Sequence, residues 1–322
     1  MRIVHEAVCV FVWLWLLAGI ARAEQRTLVV AADGSGQFST LQAAIDAVPE
    51  PNDSPVLIRI KPGTYKQRIV VPKGKRLITI RGEGEDPSAV LITYDLHAKS
   101  ILPPSTQPVG TTGSTSTLIN ADDFTAENVT FENPSGHIAQ AVAVKTNGDR
   151  IVFRNCRFLG GQDTLYPNGH RTYFKDCYIE GQVDFIFGRA VAVFENCHIH
   201  SKNGGYVTAA STPQERPFGF VFINCKLTGD GQKAYLGRPW KPYAAVAFLK
   251  CELGDHIRPE GWDNWRNPEN EKTARYVEYK NTGPGADRSG RVAWSRELTD
   301  DEAAAYTVTN ILGGADGWDP TR

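Results

Sequence analysis

Two aspartates stand 21 residues apart in matched apolar settings, Gln162-Asp163-Thr164-Leu165-Tyr166 and Val183-Asp184-Phe185-Ile186-Phe187. If the chain between them makes one turn of a repeating structure, their carboxyl groups face each other across neighbouring turns, with Cα atoms ~5 Å apart. At that separation and an effective dielectric near 20, ionising both costs on the order of 3 kcal/mol, or roughly two pKa units. One aspartate then keeps its proton while the other is charged. That is the division of roles that acid–base plus nucleophilic catalysis requires. Two amides follow the same step, Gln162 beside the first aspartate and Gln140 22 residues earlier. Arg238 lies on the equivalent segment two repeats beyond Asp184, within reach for a long side chain. A guanidinium there favours charge on whichever aspartate it touches. A pair that only binds calcium or ties turns together is the competing reading of the spacing alone.

The elements that must position these residues repeat. Phe153-Arg154-Asn155-Cys156-Arg157-Phe158 recurs as Phe174-Lys175-Asp176-Cys177-Tyr178-Ile179 and Phe194-Glu195-Asn196-Cys197-His198-Ile199. Two further copies hold Cys225 and Cys251, and an earlier one, Ala126 to Phe131, has Val129 in the cysteine slot. The cysteine spacings are 21, 20, 28 and 26, and the first of these is also the step from Asp163 to Asp184. Apolar and polar residues alternate within each copy, the period of a half-buried strand, and glycine-rich turns punctuate them. A strand-only repeat of this length cannot bury its apolar face alone and must stack on its neighbours. No helix separates the strands, so an all-β parallel β-helix is expected, with the cysteines as an interior ladder of small apolar side chains. One bridge between adjacent coils is also open, with Cys177–Cys197 as the candidate.

The ends of the solenoid need covers. Ser39 with Gln42 reads as a capping box, followed by Leu41, Ala44, Ile45 and Val48 on one helical face and by Pro49 and Pro51 as stops. Such a helix plugs the N-terminal end and shields strand edges. Thr299 with Glu302 makes a second capping box ahead of a short C-terminal helical segment.

Composition narrows the function. Lys plus Arg total 35 against 36 Asp plus Glu, and the net charge of −1 gives no electrostatic reason to expect nucleic acid. Val8–Leu17 is an apolar run behind Met1-Arg2, and Ala21-Arg22-Ala23 supplies small residues at the positions a signal peptidase reads. Residues 1–23 are therefore expected to be a signal peptide and residues 24–322 one secreted or periplasmic catalytic domain, with no membrane segment in the mature form. His198 and His200 alternate on a strand but lack an evident third ligand, so neither a metal nor any other cofactor is expected. No G-x-S-x-G occurs anywhere, which disfavours a serine esterase.

Gly161-Gln162-Asp163-Thr164-Leu165-Tyr166, Asp184-Phe185-Ile186-Phe187-Gly188, Leu236-Gly237-Arg238-Pro239-Trp240 and Gln140-Ala141-Val142-Ala143 together resemble the signature segments of the pectin methylesterases (pectinesterases), in order and with compatible spacing. The resemblance covers essentially the whole chain after the leader. It implies a right-handed parallel β-helix that hydrolyses the C6 methyl esters of galacturonate units in pectin. Asp184 would be the nucleophile, and Asp163 would protonate departing methanol and then activate water. Gln162 and Gln140 would stabilise the oxyanion, and Arg238 would hold Asp184 ionised. Trp240, Tyr166 and Phe187 would offer apolar faces to sugar rings, and Thr111 would touch substrate. A monomer acting on homogalacturonan is expected. Gln67 departs from the family pattern, which usually has Glu there. Two alternatives are a β-helix lyase or glycosidase, which explains the two glutamines less well, and a relative that acts on another ester or thioester or binds pectin without turnover.

Overall fold

Each repeat contributes one strand to each of three sheets, and every strand pairs in parallel with its counterpart in the neighbouring repeat. The computed structural model describes residues 26–322, so the expected signal peptide and the first two residues after it lie outside the described chain. The sheets hold 11, 8 and 7 strands, which makes the molecule a parallel β-helix. The repeat is visible directly in the core. Phe153, Phe174, Phe194, Phe222 and Phe248 stack face to face down the solenoid, with ring centroids 5.0, 4.5, 4.5 and 4.3 Å apart. All five are fully buried, worth ~1.5–3 kcal/mol each in apolar burial.

The polar residue before each cysteine makes the corner. Asn128, Asn155, Asp176, Asn196, Asn224 and Lys250 all have φ between 53° and 55°, apart from Asn155 at 48°. Asparagine enters this left-handed region at lower cost than most residues, which explains its recurrence in the repeat. Asn155 also donates its side-chain amide to Asn128 Oδ1 at 2.9 Å, so successive corners are tied together. Past the corner, the cysteine side chain turns inward. Cys156, Cys177, Cys197, Cys225 and Cys251 are buried and unpaired. The Cys177–Cys197 bridge does not form; both thiols instead donate to main-chain carbonyls, Cys177 to Phe153 and Cys197 to Phe174, each at 3.6 Å.

The N-terminal helix spans Leu41–Asp46 and buries Leu41, Ala44 and Ile45 against the core. Its cap is Thr40 rather than Ser39, with Thr40 Oγ1 accepting from the Ala43 N–H at 3.2 Å. Gln42 does not close a box. Its amide instead pairs with the main chain of Val70, accepting at 2.8 Å and donating at 3.1 Å, and so completes the outermost strand, Ile69–Val71, of the seven-stranded sheet. Gln67 Oε1 accepts the Gln42 N–H at 3.2 Å, which gives the departure from the family pattern a local role at the helix start. Lys75 is buried and donates to the carbonyls of Ile45, Asp46 and Val48, closing the other end of the helix. The second capping box forms as expected at Thr299 and Glu302. Beyond it the chain lies over the outside of the 11-stranded sheet, packing Ile311 and Leu312 near Val152, Tyr173 and Val193. Arg171 secures it by bonding the Leu312 carbonyl and both carboxylate oxygens of Asp316.

Candidate active site

The outward-facing row of the seven-stranded sheet runs Leu118, Lys145, Tyr166, Phe187, Ala209, Arg238, matched strand to strand by the parallel register. Its last four residues, Tyr166, Phe187, Ala209 and Arg238, form the floor of a cleft of about 550 Å³. All nine residues singled out from the sequence line this cleft: Thr111, Gln140, Gln162, Asp163, Tyr166, Asp184, Phe187, Arg238 and Trp240.

Apolar alternation around Gln140, Gln162–Tyr166 and Val183–Phe187 would suggest strands through these residues, and the backbone differs. The strands begin at Val144, Leu165 and Ile186, so Gln140, Gln162, Asp163 and Asp184 all sit on the bends that enter them. Asp163 and Asp184 have φ of 66° and 54°. A left-handed residue there redirects the chain, so the strand starts only after it. The stacking itself holds. The Asp163 N–H donates to the Val183 carbonyl at 3.0 Å and the Leu165 N–H to the Phe185 carbonyl at 2.8 Å, which sets the two aspartates at equivalent points of adjacent coils. Gln162 follows a tight crossing: a Cβ on Gly161 would lie 2.7 Å from the Gly136 carbonyl carbon, so only glycine lets the coils approach there. Gln140 and Gln162 commit their carbonyls to the Ala98 and Ala141 N–H groups, while their side chains line the cleft.

Arg238 decides which carboxylate is charged. Its Nε and Nη2 donate to Asp184 Oδ1 and Oδ2 at 2.8 and 2.7 Å, a bidentate pair. The guanidinium is held between the rings of Tyr206 and Trp265, 3.8 and 3.7 Å from their centroids. Burial raises the pKa of Asp184, and the bonds from Arg238 oppose that rise. Asp163 has no such partner. Burial, reinforced by the charge of Asp184 and only partly offset by Arg238, pushes its carboxyl up to about 8. Near neutral pH the pair therefore holds a protonated Asp163 beside an ionised Asp184.

The aromatic residues divide by exposure. Trp240 is 38% exposed, whereas Tyr166 and Phe187 are buried and stacked with centroids 4.1 Å apart. Trp240 meets both edge-on at 6.3 and 6.0 Å, so it presents the open ring face and the other two support it from the floor. Thr111 enters from the short helical turn Gly110–Gly113. Sequence reasoning missed Trp265, which falls in an irregular segment outside the repeat and carried no signal. His198 and His200 both bond the Thr228 hydroxyl at 2.8 Å, and His200 also meets Asp230. Among the described residues no group of three or more His, Cys, Asp or Glu side chains is arranged to hold a metal ion.

Residues 27–315 match the family model for pectinesterase. The chain belongs to the pectinesterase family. Within that family it is 46% identical over 292 residues to pectinesterase 31 of Arabidopsis thaliana, covering 88% of this chain and 91% of the relative. It is 39% identical over 302 residues to the Arabidopsis thaliana pectinesterase QRT1, covering 91% and 79%. Among solved structures it resembles the pectin methylesterase from carrot, with a TM-score of 0.83, 33% identity and coverage of 90% and 93%. A pectin methylesterase in complex with a hexasaccharide matches at a TM-score of 0.81 and 31% identity, covering 93% of this chain and all of that one. The protein is thus a pectinesterase-family hydrolase on a parallel β-helix.

Proposed function

We propose that this enzyme hydrolyses the C6 methyl esters of galacturonate units in pectin, with Asp184 as nucleophile and Asp163 as acid and base. The observation that carries the reading is the asymmetry of the pair: Arg238 chelates Asp184, while the buried Asp163 beside it retains its proton. An Asp184 oxygen attacks the ester carbonyl carbon, and the carbonyl π electrons move onto oxygen. The amides of Gln162 and Gln140 donate to that oxyanion, a contribution typically worth ~3 kcal/mol. As the tetrahedral centre collapses, the bond to the methoxy oxygen breaks and Asp163 transfers its proton there, releasing methanol. Asp163, now a carboxylate, takes a proton from water. The resulting hydroxide attacks the galacturonyl carbonyl carbon, the bond from that carbon to the Asp184 oxygen breaks, and Asp184 leaves as a carboxylate; the galacturonic acid formed gives its proton to solvent, and Asp163 is again protonated. Trp240 supplies the sugar platform and Thr111 a polar wall.

The hexasaccharide-bound neighbour supports a polymeric sugar substrate. The same reading has residues 24–322 act as one catalytic unit, as a monomer outside the cytoplasm once the leader is removed. The test is methanol release from highly methylated pectin. Wild type should release methanol without generating unsaturated chain ends. Asp163→Asn and Asp184→Asn should abolish release while keeping the native circular dichroism, and Gln162→Ala should lower kcat by about 10²–10³-fold. Full activity in either aspartate variant refutes the assigned roles.

A further inference from the structure

The segment that carries Gln140 belongs to no strand or helix, since the strand behind it begins only at Val144. An irregular segment has no ladder of its own, so its placement depends on what bonds its backbone groups. The Gln140 carbonyl accepts the Ala98 N–H at 2.8 Å, and the Ala141 N–H donates to the Gln162 carbonyl at 3.1 Å. The Val142 N–H donates to Ser114 Oγ at 3.2 Å, and the Val142 carbonyl accepts from the Asn133 side chain. At that side chain the supports converge. Asn133 is fully buried and is not part of the cleft lining. Its Nδ2 donates to the carbonyls of Leu96, Ser114 and Val142 at 2.8, 3.1 and 3.2 Å. These carbonyls come from three pieces of chain: the loop that reaches Gln140 through Ala98, the end of the turn that carries Thr111, and the Gln140 segment itself. Ser114 extends the knot, because its hydroxyl donates to the Thr111 carbonyl at 2.6 Å.

The two ends of this side chain do different jobs. Asn133 Oδ1 accepts the Ser135 N–H at 3.1 Å and caps the short 3₁₀ helix Pro134–His137, which needs only an oxygen. Holding three buried carbonyls together needs the amide nitrogen and both of its N–H groups. We propose that Asn133 is a positioning residue for the hydrolysis, its amide keeping Gln140 and the Thr111 turn in register with Gln162 without touching substrate. The inference rests on the esterase reading given above and deepens it, because it assigns the alignment of the two oxyanion donors to a side chain outside the cleft. An oxyanion donor acts in the transition state more than on the bound ester, so a displaced Gln140 costs kcat rather than KM.

The experiment measures methanol release by wild type, Asn133→Ser, Asn133→Ala, Gln140→Ala and the double variant Asn133→Ser/Gln140→Ala. Serine keeps an oxygen for the Ser135 N–H but removes the amide, so it separates the cap from the knot. In Asn133→Ser kcat should fall by roughly 10-fold to 10²-fold, the scale of a small misplacement and no more than the loss in Gln140→Ala. KM should stay within about twofold of wild type. Asn133→Ala should lose a similar factor. In the Gln140→Ala background the serine change should cost less than about threefold, because the side chain it acts through is already gone. An undiminished kcat in Asn133→Ser overturns the inference, and so do losses that multiply in the double variant. Loss of the native circular dichroism in both Asn133 variants also overturns it, marking a folding residue only. The Gln140 side-chain amide resonance in heteronuclear NMR, assigned by its absence in Gln140→Ala, gives a readout independent of turnover. It should report an ordered group in wild type and a mobile one in Asn133→Ser; an unchanged signal overturns the inference. If wild type released no methanol, or Gln140→Ala kept full kcat, the esterase reading would fail there while this resonance still decided whether Asn133 holds Gln140.

Discussion

Replacing Asp163 by asparagine should make the protein more stable as well as inactive, and the gain should depend on pH in a defined way. The carboxyl is held at about 8 against an ordinary 3.8, chiefly by burial. The folded state therefore binds this proton more tightly than the unfolded chain. The stability linked to it is fully present below about pH 4 and is lost as pH climbs towards about 8. A rise of about four pKa units corresponds to a total loss on the order of 6 kcal/mol, at ~1.4 kcal/mol for each pH unit in that window. Asparagine has nearly the same shape, tolerates the left-handed backbone at this position and carries no titrating proton. Urea unfolding of wild type and Asp163→Asn at unit steps from pH 4 to 9 tests this. The difference should be small near pH 4, grow in favour of the variant, and level off near pH 8. At the plateau it corresponds to a Tm gap of roughly 10 °C or more. A gap that does not change with pH, or a wild type that is the more stable at pH 9, refutes the claim that burial holds a proton on Asp163. The same proton sets the alkaline limb of activity, so kcat/KM should fall above about pH 8 in wild type.

Other perturbations have equally definite outcomes. Arg238→Gln removes both bonds to Asp184, so burial alone then acts on that carboxylate and raises its pKa. The acid limb of the pH–rate profile should move to higher pH and kcat should fall by about 10²-fold; an unshifted limb shows that Arg238 does not set the charge of Asp184. Lys75→Met leaves the carbonyls of Ile45, Asp46 and Val48 without their donor, and should cost ~2–4 kcal/mol in urea unfolding. Methanol release at room temperature should persist in that variant, because the helix covers the far end of the solenoid from the cleft.

Much of the site was legible because a solenoid turns sequence distance into spatial order. Between Lys145 and Phe187 the coils are equal, so a 21-residue step is both a repeat and a stacking vector. That is why Asp163, Asp184 and their neighbouring glutamines could be brought together from spacing alone. The polar residue before each cysteine reads as strand alternation, because the left-handed angle that makes it a corner is a property of the folded backbone and not of the residue type alone, which varies from Asn155 to Asp176 and Lys250.

The sequence by itself determined the solenoid and the meeting of two carboxyl groups, because these follow from a short-range pattern repeated at a nearly constant interval; that each coil carries three strands was seen only in the structure. Only the tertiary structure decided how that pair is charged. Burial is a property of everything packed around Asp163, and Arg238 reaches Asp184 across coils lengthened to 22 and 29 residues by insertions that no repeat predicts. Trp265 clamps the guanidinium from outside the repeat altogether, and Thr40 displaces Ser39 as the helix cap through a backbone geometry that both residue types would permit. Periodicity fixes which residues meet; desolvation and long side chains spanning unequal coils fix what they do when they meet.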